Sequence, residues 1–348
     1  MVLIFFLSTV IINIILYLNL KKISKFYNLF DYPDNKRKIH KKPTAILGGL
    51  FLVINFLIIL IYYLFFFSET IFPKEVFGYL DNITDSRSNR VLLSFFFIPI
   101  TFFFIGYLDD KFNLKPNTKL INLILIILLT LLIDQDLIIT ELKFDFINKL
   151  IKLNIFSIFF TTMSIIILVN ALNMFDGINL QLISFTLFVF VIFILKGFLP
   201  IFFSLISICL ILLGLLNYRN KVFIGDGGCY LISVIIGCSF IYQYQNFDNF
   251  FFGDEVFIIL LIPALDMLRL FIFRIIKSKH PFKGDLKHLH HLVDKVTKNK
   301  NFTVIITISL SMFPSILMIT GLETYFILAL NFIIYLVLIL FLEYKLKL

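Results

Sequence analysis

Charge is scarce in this sequence. Only 15% of its 348 residues are Asp, Glu, Lys or Arg, against about 25% in soluble domains, which excludes an ordinary soluble protein. Cysteine is scarce too. Cys209, Cys229 and Cys238 lie in or beside apolar runs and show no metal-ligand spacing, so buried free thiols are expected. Tryptophan is missing while phenylalanine occurs 46 times; no functional meaning follows from that bias. The stretch "MVLIFFLSTVIINIILYLNL" lacks a basic n-region and a small-residue cleavage site, so it reads as a retained first span rather than a signal peptide. There is no internal repeat, no low-complexity linker and no sign of a separate soluble domain.

Apolar length is what remains. The chain is 60% hydrophobic, and most of it falls into runs of about 18 to 22 residues, enough to cross a bilayer as a helix. The expectation is an all-α polytopic membrane protein with a single integral-membrane domain, residues 1–348. Eleven spans are expected, at 2–20, 46–67, 91–108, 119–133, 155–172, 181–196, 199–216, 228–246, 255–276, 302–320 and 323–342, with ten as the alternative count. The weakest division is in 181–216, where only "KGFLP" separates two runs. Segment 134–154 alternates apolar and polar residues and reads as a short hairpin or an interfacial helix.

Alternate loops then lie on opposite faces. One face holds 21 Lys and Arg and the other seven, so the first is cytoplasmic, with the N-terminus outside and the C-terminus inside. The net charge of +9 reflects this asymmetry rather than nucleic-acid binding. The unusual polar clusters all fall on the same cytoplasmic face. They are "DYPDNKRKIHKKPTAILGGL", "GYLDD", "NALNMFDGIN", "FIGDGG", "PALDMLRLFIFR" and "HPFKGDLKHLHHL".

Each cluster also has a plain structural reading. Asp109 and Asp110 could be a solvated helix end paired with Lys111 and Lys115. Asn173 and Asp176 share a helical face and could bond to a neighbouring helix. "GDGG" alone is an ordinary turn. Asp266 and Arg269 are one turn apart and could be a buried ion pair, although charges inside a span default to functional candidates. Three imidazoles in "HLHH" are harder to dismiss. Taken together, Asp109, Asp110, Asp176 and Asp226 suit a hard cation such as Mg²⁺, with Mn²⁺ as the alternative; such ions keep waters and bridge to phosphates. Lys36, Arg37, Lys38, His40, Lys41, Lys42, His288, His290 and His291 are candidate phosphate donors. Acid, metal and basic loops at a membrane surface suggest phosphoryl transfer between a water-soluble donor and a lipid.

These ordered motifs, spanning residues 31 to about 294, resemble the polyprenyl-phosphate N-acetylhexosamine-1-phosphate transferases. That superfamily also holds the phospho-N-acetylmuramoyl-pentapeptide transferase. The His-x-His-His form after "HPFKGD" is similar to the N-acetylglucosamine branch. The resemblance implies a bacterial inner-membrane enzyme using Mg²⁺. In that chemistry the phosphate of undecaprenyl phosphate attacks the β-phosphorus of a UDP-N-acetyl sugar and UMP leaves. The lipid diphospho-sugar then starts a cell-envelope glycan.

By the same resemblance, Asp226 is the metal ligand and Asp109 the candidate base, with Asp110 supporting it or the metal. Asp176 and His290 join the catalytic set. Lys42, Asn173, Asn179, Phe223, His288, His291 and Arg274 hold the nucleotide, diphosphate and sugar, with Phe223 stacking on uracil. Asp266 and Arg269, with Pro263, are expected to line a groove for the lipid phosphate. Leu180 and Gly228 stand where the family often has Gly and Ser, and Asn179 where many members have Asp. The alternative donors are a 6-deoxy-N-acetylhexosamine or the muramoyl pentapeptide; a homodimer is allowed. A CDP-alcohol phosphatidyltransferase lacks support because no Ala-Arg follows "DG". A transporter would place its polar groups near the midplane, not at one face.

Overall fold

The structure is a computed structural model that describes residues 2–33, 43–65, 93–246, 251–278 and 286–347. In chain order its elements begin with α1 (Val2–Leu18), α2 (Leu20–Tyr27), β1 (Phe30–Asp31), β2 (Thr44–Ile46) and α3 (Gly48–Phe65). A π-helical turn, Leu93–Phe97, leads into α4 (Ile98–Phe112) and α5 (Pro116–Ile133). Next come β3 (Glu141–Phe144), β4 (Ile147–Lys152), α6 (Ser157–Phe175), α7 (Gln181–Leu195) and α8 (Pro200–Tyr218). The chain closes with β5 (Val222–Phe223), α9 (Gly225–Asn246), α10 (Gly253–Ile259), α11 (Leu261–Ile276), α12 (Leu289–Thr297), α13 (Lys300–Met318) and α14 (Thr324–Leu346).

Six of the described helices are long and apolar enough to cross a membrane: α5, α6 with the residues just before it, α8, α9, α13 and α14. The number is eight if each bent pair, α1–α2 at 67° and α10–α11 at 76°, is one span. This is a polytopic, mostly helical membrane protein; each of the eleven expected runs carries a helix among the described residues, and those in 46–67 and 181–196 are shorter apolar helices. Runs count hydrophobicity, whereas helices also end where the backbone turns. At "KGFLP" Gly197 takes φ +77 and Leu199 φ +45, ending α7 at Leu195 where the division was expected, and Pro200 opens α8. The segment expected as a hairpin or interfacial helix is a hairpin, β3–β4, paired Glu141↔Lys152 through Phe144↔Ile147.

The chain divides into two compact units, Met1–Asp134 with Thr186–Ile236, and Gln135–Phe185 with Gly237–Leu348. In the first, α3 packs on α1, α8 and α4. Between apolar helices in lipid, packing and polar contacts replace the hydrophobic drive. Asn13 and Asn55 supply such a contact by exchanging side-chain amide hydrogen bonds of 2.7 and 3.0 Å. Phe190 and Phe193 of α7 pack at a tilt against Phe203 of α8, with ring centroids 4.8 and 4.9 Å apart. Strand β2 pairs antiparallel with β1 and parallel with β5, Ala45 opposite Val222 and Ile46 opposite Phe223. This small sheet sets the start of α3 beside the start of α9. Gly106 of α4 completes the arrangement, since a Cβ there would overlap the backbone of Asp226 and Gly227.

In the second unit α6 packs on α11, and α12 on α13 and α14. The hairpin is fastened to α10 and α14 by Asp254. Its carboxylate accepts from the Asp145 N–H at 3.0 Å and from the Thr324 hydroxyl.

Gly106→Val is expected to lower the thermal midpoint in detergent, because overpacking of a tight contact costs about 1–3 kcal/mol. A wild-type midpoint would mean that α4 and the start of α9 do not touch.

Candidate active site

Asp109 and Asp110 end α4, where the helix dipole disfavours negative charge. Two different positive partners hold them. The Lys119 ammonium, in the first turn of α5, lies 2.5 Å from Asp109 Oδ2 and 2.6 Å from Asp226 Oδ2. Lys119 also sits 5.0 Å from the Tyr230 ring centroid. Asp109 Oδ1 accepts from the Leu114 N–H at 2.9 Å, closing the turn into α5.

Asp110 is engaged by a helix end instead. Its two oxygens accept from the backbone N–H groups of Asp226 at 3.0 Å and Gly227 at 3.1 Å. Those N–H groups belong to the first turn of α9, whose dipole favours an anion. The unfavourable C-terminal acid of α4 is therefore the N-terminal cap of α9. The fit requires Gly225 at φ +75, where a Cβ would strike Ile46 and the Asp110 carboxylate. Asp109 lies just past the apolar run 91–108. Burial, followed by the hydrogen bond and charge of Asp226, pushes its carboxyl up to about 6.

Phe223 lies on β5, half-buried, three residues before Asp226. The motifs "TAILGG", "GYLDD" and "FIGDGG" thus meet in the first unit. Lys36, Arg37, Lys38, His40, Lys41 and Lys42 lie outside the described residues, as does "HPFKGD".

The second unit gathers the other motifs. Asp266 of α11 is buried, and its carboxylate is fully engaged. Oδ1 accepts from Arg269 Nη2 at 2.9 Å, the Leu289 N–H at 3.0 Å and the Tyr335 hydroxyl at 3.0 Å. Oδ2 meets His288 Nδ1 at 2.8 Å. Arg274, also buried, approaches His288 Nε2 at 3.4 Å. Arginine only donates, so Nε2 accepts and Nδ1 carries the proton given to Asp266. Both His288 nitrogens are used within the protein, and Asp266 acts as the anchor of the loop.

His290 differs. It is 1% exposed, its ring lies parallel to that of His288 at 5.6 Å, and its Nε2 meets no hydrogen-bond partner among the described residues. Burial, followed by the charges of His291 and His288, pushes it well below the usual imidazole range. The ring fills the space beside Gly177, where a Cβ would overlap it. The turn carrying Asn173, Asp176 and Asn179, all half-buried, is thereby brought to the histidine loop.

Two residues escaped the reading of the sequence. Lys119 opens an otherwise apolar run, and its charge inside a span was the available signal. Tyr335 is one of three tyrosines in an apolar helix and gave no signal. Among the described residues no three His, Cys, Asp or Glu side chains form a metal cage.

Residues 92–244 match the family model described as glycosyl transferase family 4. The chain is 26% identical over 327 residues to the undecaprenyl-phosphate alpha-N-acetylglucosaminyl 1-phosphate transferase of Escherichia coli strain K12, covering 89% of this chain and 82% of that protein. The protein of the same description from Thermotoga maritima is 26% identical over 223 residues, 62% of this chain and 67% of that one. The Salmonella typhi protein is 25% identical over 201 residues, 55% and 54% of the two chains.

Asp266→Ala leaves the Arg269 guanidinium without its buried partner and is expected to destabilise the protein by about 3–5 kcal/mol. Glu343, 3.6 Å from Arg269 and 41% exposed, should matter by less than about 1 kcal/mol. Equal thermal midpoints for Asp266→Ala and Glu343→Ala would contradict the anchor.

Proposed function

We propose that this chain, a member of glycosyl transferase family 4, transfers N-acetylglucosamine 1-phosphate from UDP-N-acetylglucosamine to undecaprenyl phosphate and releases UMP. The carrying observation is the pair Asp109 and Asp226, aimed from two helices at one cationic position. The printed descriptions of the relatives support the same reading. The membrane would be the bacterial inner membrane, with the site on the cytoplasmic face, as the Lys and Arg asymmetry argues.

Asp109 and Asp226 carry the carboxylate oxygens that Mg²⁺ prefers, and an ion that keeps several waters and bridges to substrate phosphates needs no complete protein cage; the point the two share is held by the Lys119 ammonium, which the ion would displace from between them. Asp226 would hold it, with Asp109 beside it. When bound, the ion supplies charge neutralisation between the lipid phosphate and the donor diphosphate.

The chain's own groups do the rest. Lys119 holds the two carboxylates at one place and adds positive charge for an incoming phosphate. A phosphomonoester has its second pKa near 6, so the acceptor is mostly dianionic at neutral pH and needs little help from a base. Asp110 fixes the start of α9 and hence the aim of Asp226. Phe223 offers a ring for the uracil. By the resemblance, Asn173, Asp176, Asn179 and His290, all in the second unit, would serve the sugar-nucleotide.

The test uses detergent-solubilised protein, undecaprenyl phosphate, Mg²⁺ and UDP-N-acetylglucosamine labelled separately in uridine and sugar. Labelled UMP with sugar label in the lipid phase is expected; labelled UDP would replace the mechanism with ordinary glycosyl transfer. EDTA should abolish the lipid label and Mg²⁺ restore it. Because the ionised pair is needed, kcat/KM should fall as pH drops through about 6, and more steeply than protonation of the acceptor phosphate, whose second pKa is also near 6, produces alone. A fall only in the ordinary carboxylate range near about 4 would remove Asp109 from the active pair.

A further inference from the structure

We propose that Tyr335, on the C-terminal helix α14, is a positioning residue that fixes the histidine loop through Asp266 and Arg269. The proposal rests on the reading that this loop holds the sugar-nucleotide.

Tyr335 is 2% exposed. Its hydroxyl donates to Asp266 Oδ1 at 3.0 Å and accepts from Arg269 Nε at 3.0 Å. Those two residues together grip Lys287, His288 at the N-cap of α12 and Leu289, its first residue. Arg269 Nη2 donates to the Lys287 carbonyl at 2.6 Å. Asp266 takes the His288 Nδ1 proton at 2.8 Å and the Leu289 N–H at 3.0 Å. Asp266 and Arg269 are neighbours on one helix, and each has a long or rotatable side chain. The hydroxyl from α14 bonds to both and so sets their mutual orientation. His290 follows directly after the gripped residues, and its place against Gly177 depends on the path of 287–289. A change at Tyr335 should therefore reach His290 without touching it.

Tyr335→Phe removes the hydroxyl and keeps the ring. Amide hydrogen exchange of purified protein over 286–291 is expected to speed up about tenfold, while α13 stays protected. In the transfer assay the KM for UDP-N-acetylglucosamine should rise roughly fivefold, with KM for undecaprenyl phosphate unchanged. Tyr344→Phe, on the same helix but 86% exposed, should match wild type in both. Arg269→Lys keeps the charge but loses the fork, and should reproduce the loop-specific exchange even if Tyr335→Phe folds poorly. Wild-type exchange and KM in Tyr335→Phe would overturn the proposal. So would a loss of protection spread equally over α11, α13 and the loop. If wild-type protein makes no product from this donor, the functional reading fails, but the exchange experiment still decides the role of Tyr335.

Discussion

Three carboxylates, Asp109, Asp110 and Asp226, stand together where water is scarce, and the first unit is built around giving them positive partners. Two like charges about 4 Å apart in a protein-like medium repel by about 4 kcal/mol. Lys119 turns that repulsion into attraction for Asp109 and Asp226. The N–H groups opening α9 do the same for Asp110. Both solutions require close backbone approach, which is why Gly106 and Gly225 carry no side chain where α4, β2 and α9 meet. The result is a rigid pair of acids with a cation already between them. Under the proposed function, it would be a preorganised place for charge to build up during phosphoryl transfer.

The second unit uses the opposite balance. One carboxylate, Asp266, is given four partners, three on Oδ1 and one on Oδ2, and acts as an anchor. The unsatisfied group is displaced to His290, whose buried Nε2 has no partner among the described residues. A buried polar atom without a partner carries a penalty of about 1–3 kcal/mol, which a bound sugar or phosphate would relieve.

Much of this was legible in the sequence. Apolar runs gave the membrane class, and alternation in 134–154 included the hairpin among its readings. The acids were found because charge at the end of an apolar run needs a reason. Their partner was not: Lys111 and Lys115 are nearer in sequence, yet Lys119 makes the pair, because the turn after α4 brings the first turn of α5 back over it. Asp266 was read as part of a lipid-phosphate groove, but no pattern in one helix reveals that a tyrosine 69 residues away and a loop 22 residues away fill its lone pairs. Leu180 is a departure whose physics is now visible. It takes φ +69, a left-handed conformation that costs a residue with a side chain about 1–2 kcal/mol, which is why glycine is the comfortable choice there.

The most direct test of the central claim is the Mg²⁺ dependence of transfer by Asp226→Asn. The substitution keeps size and hydrogen-bonding shape while removing one of the two charges that converge on Lys119. The account predicts loss of Mg²⁺-dependent turnover by at least about a hundredfold, in a protein whose thermal midpoint is near wild type. Normal turnover at ordinary Mg²⁺ would contradict the claim that Asp109 and Asp226 together form the cation site of the reaction.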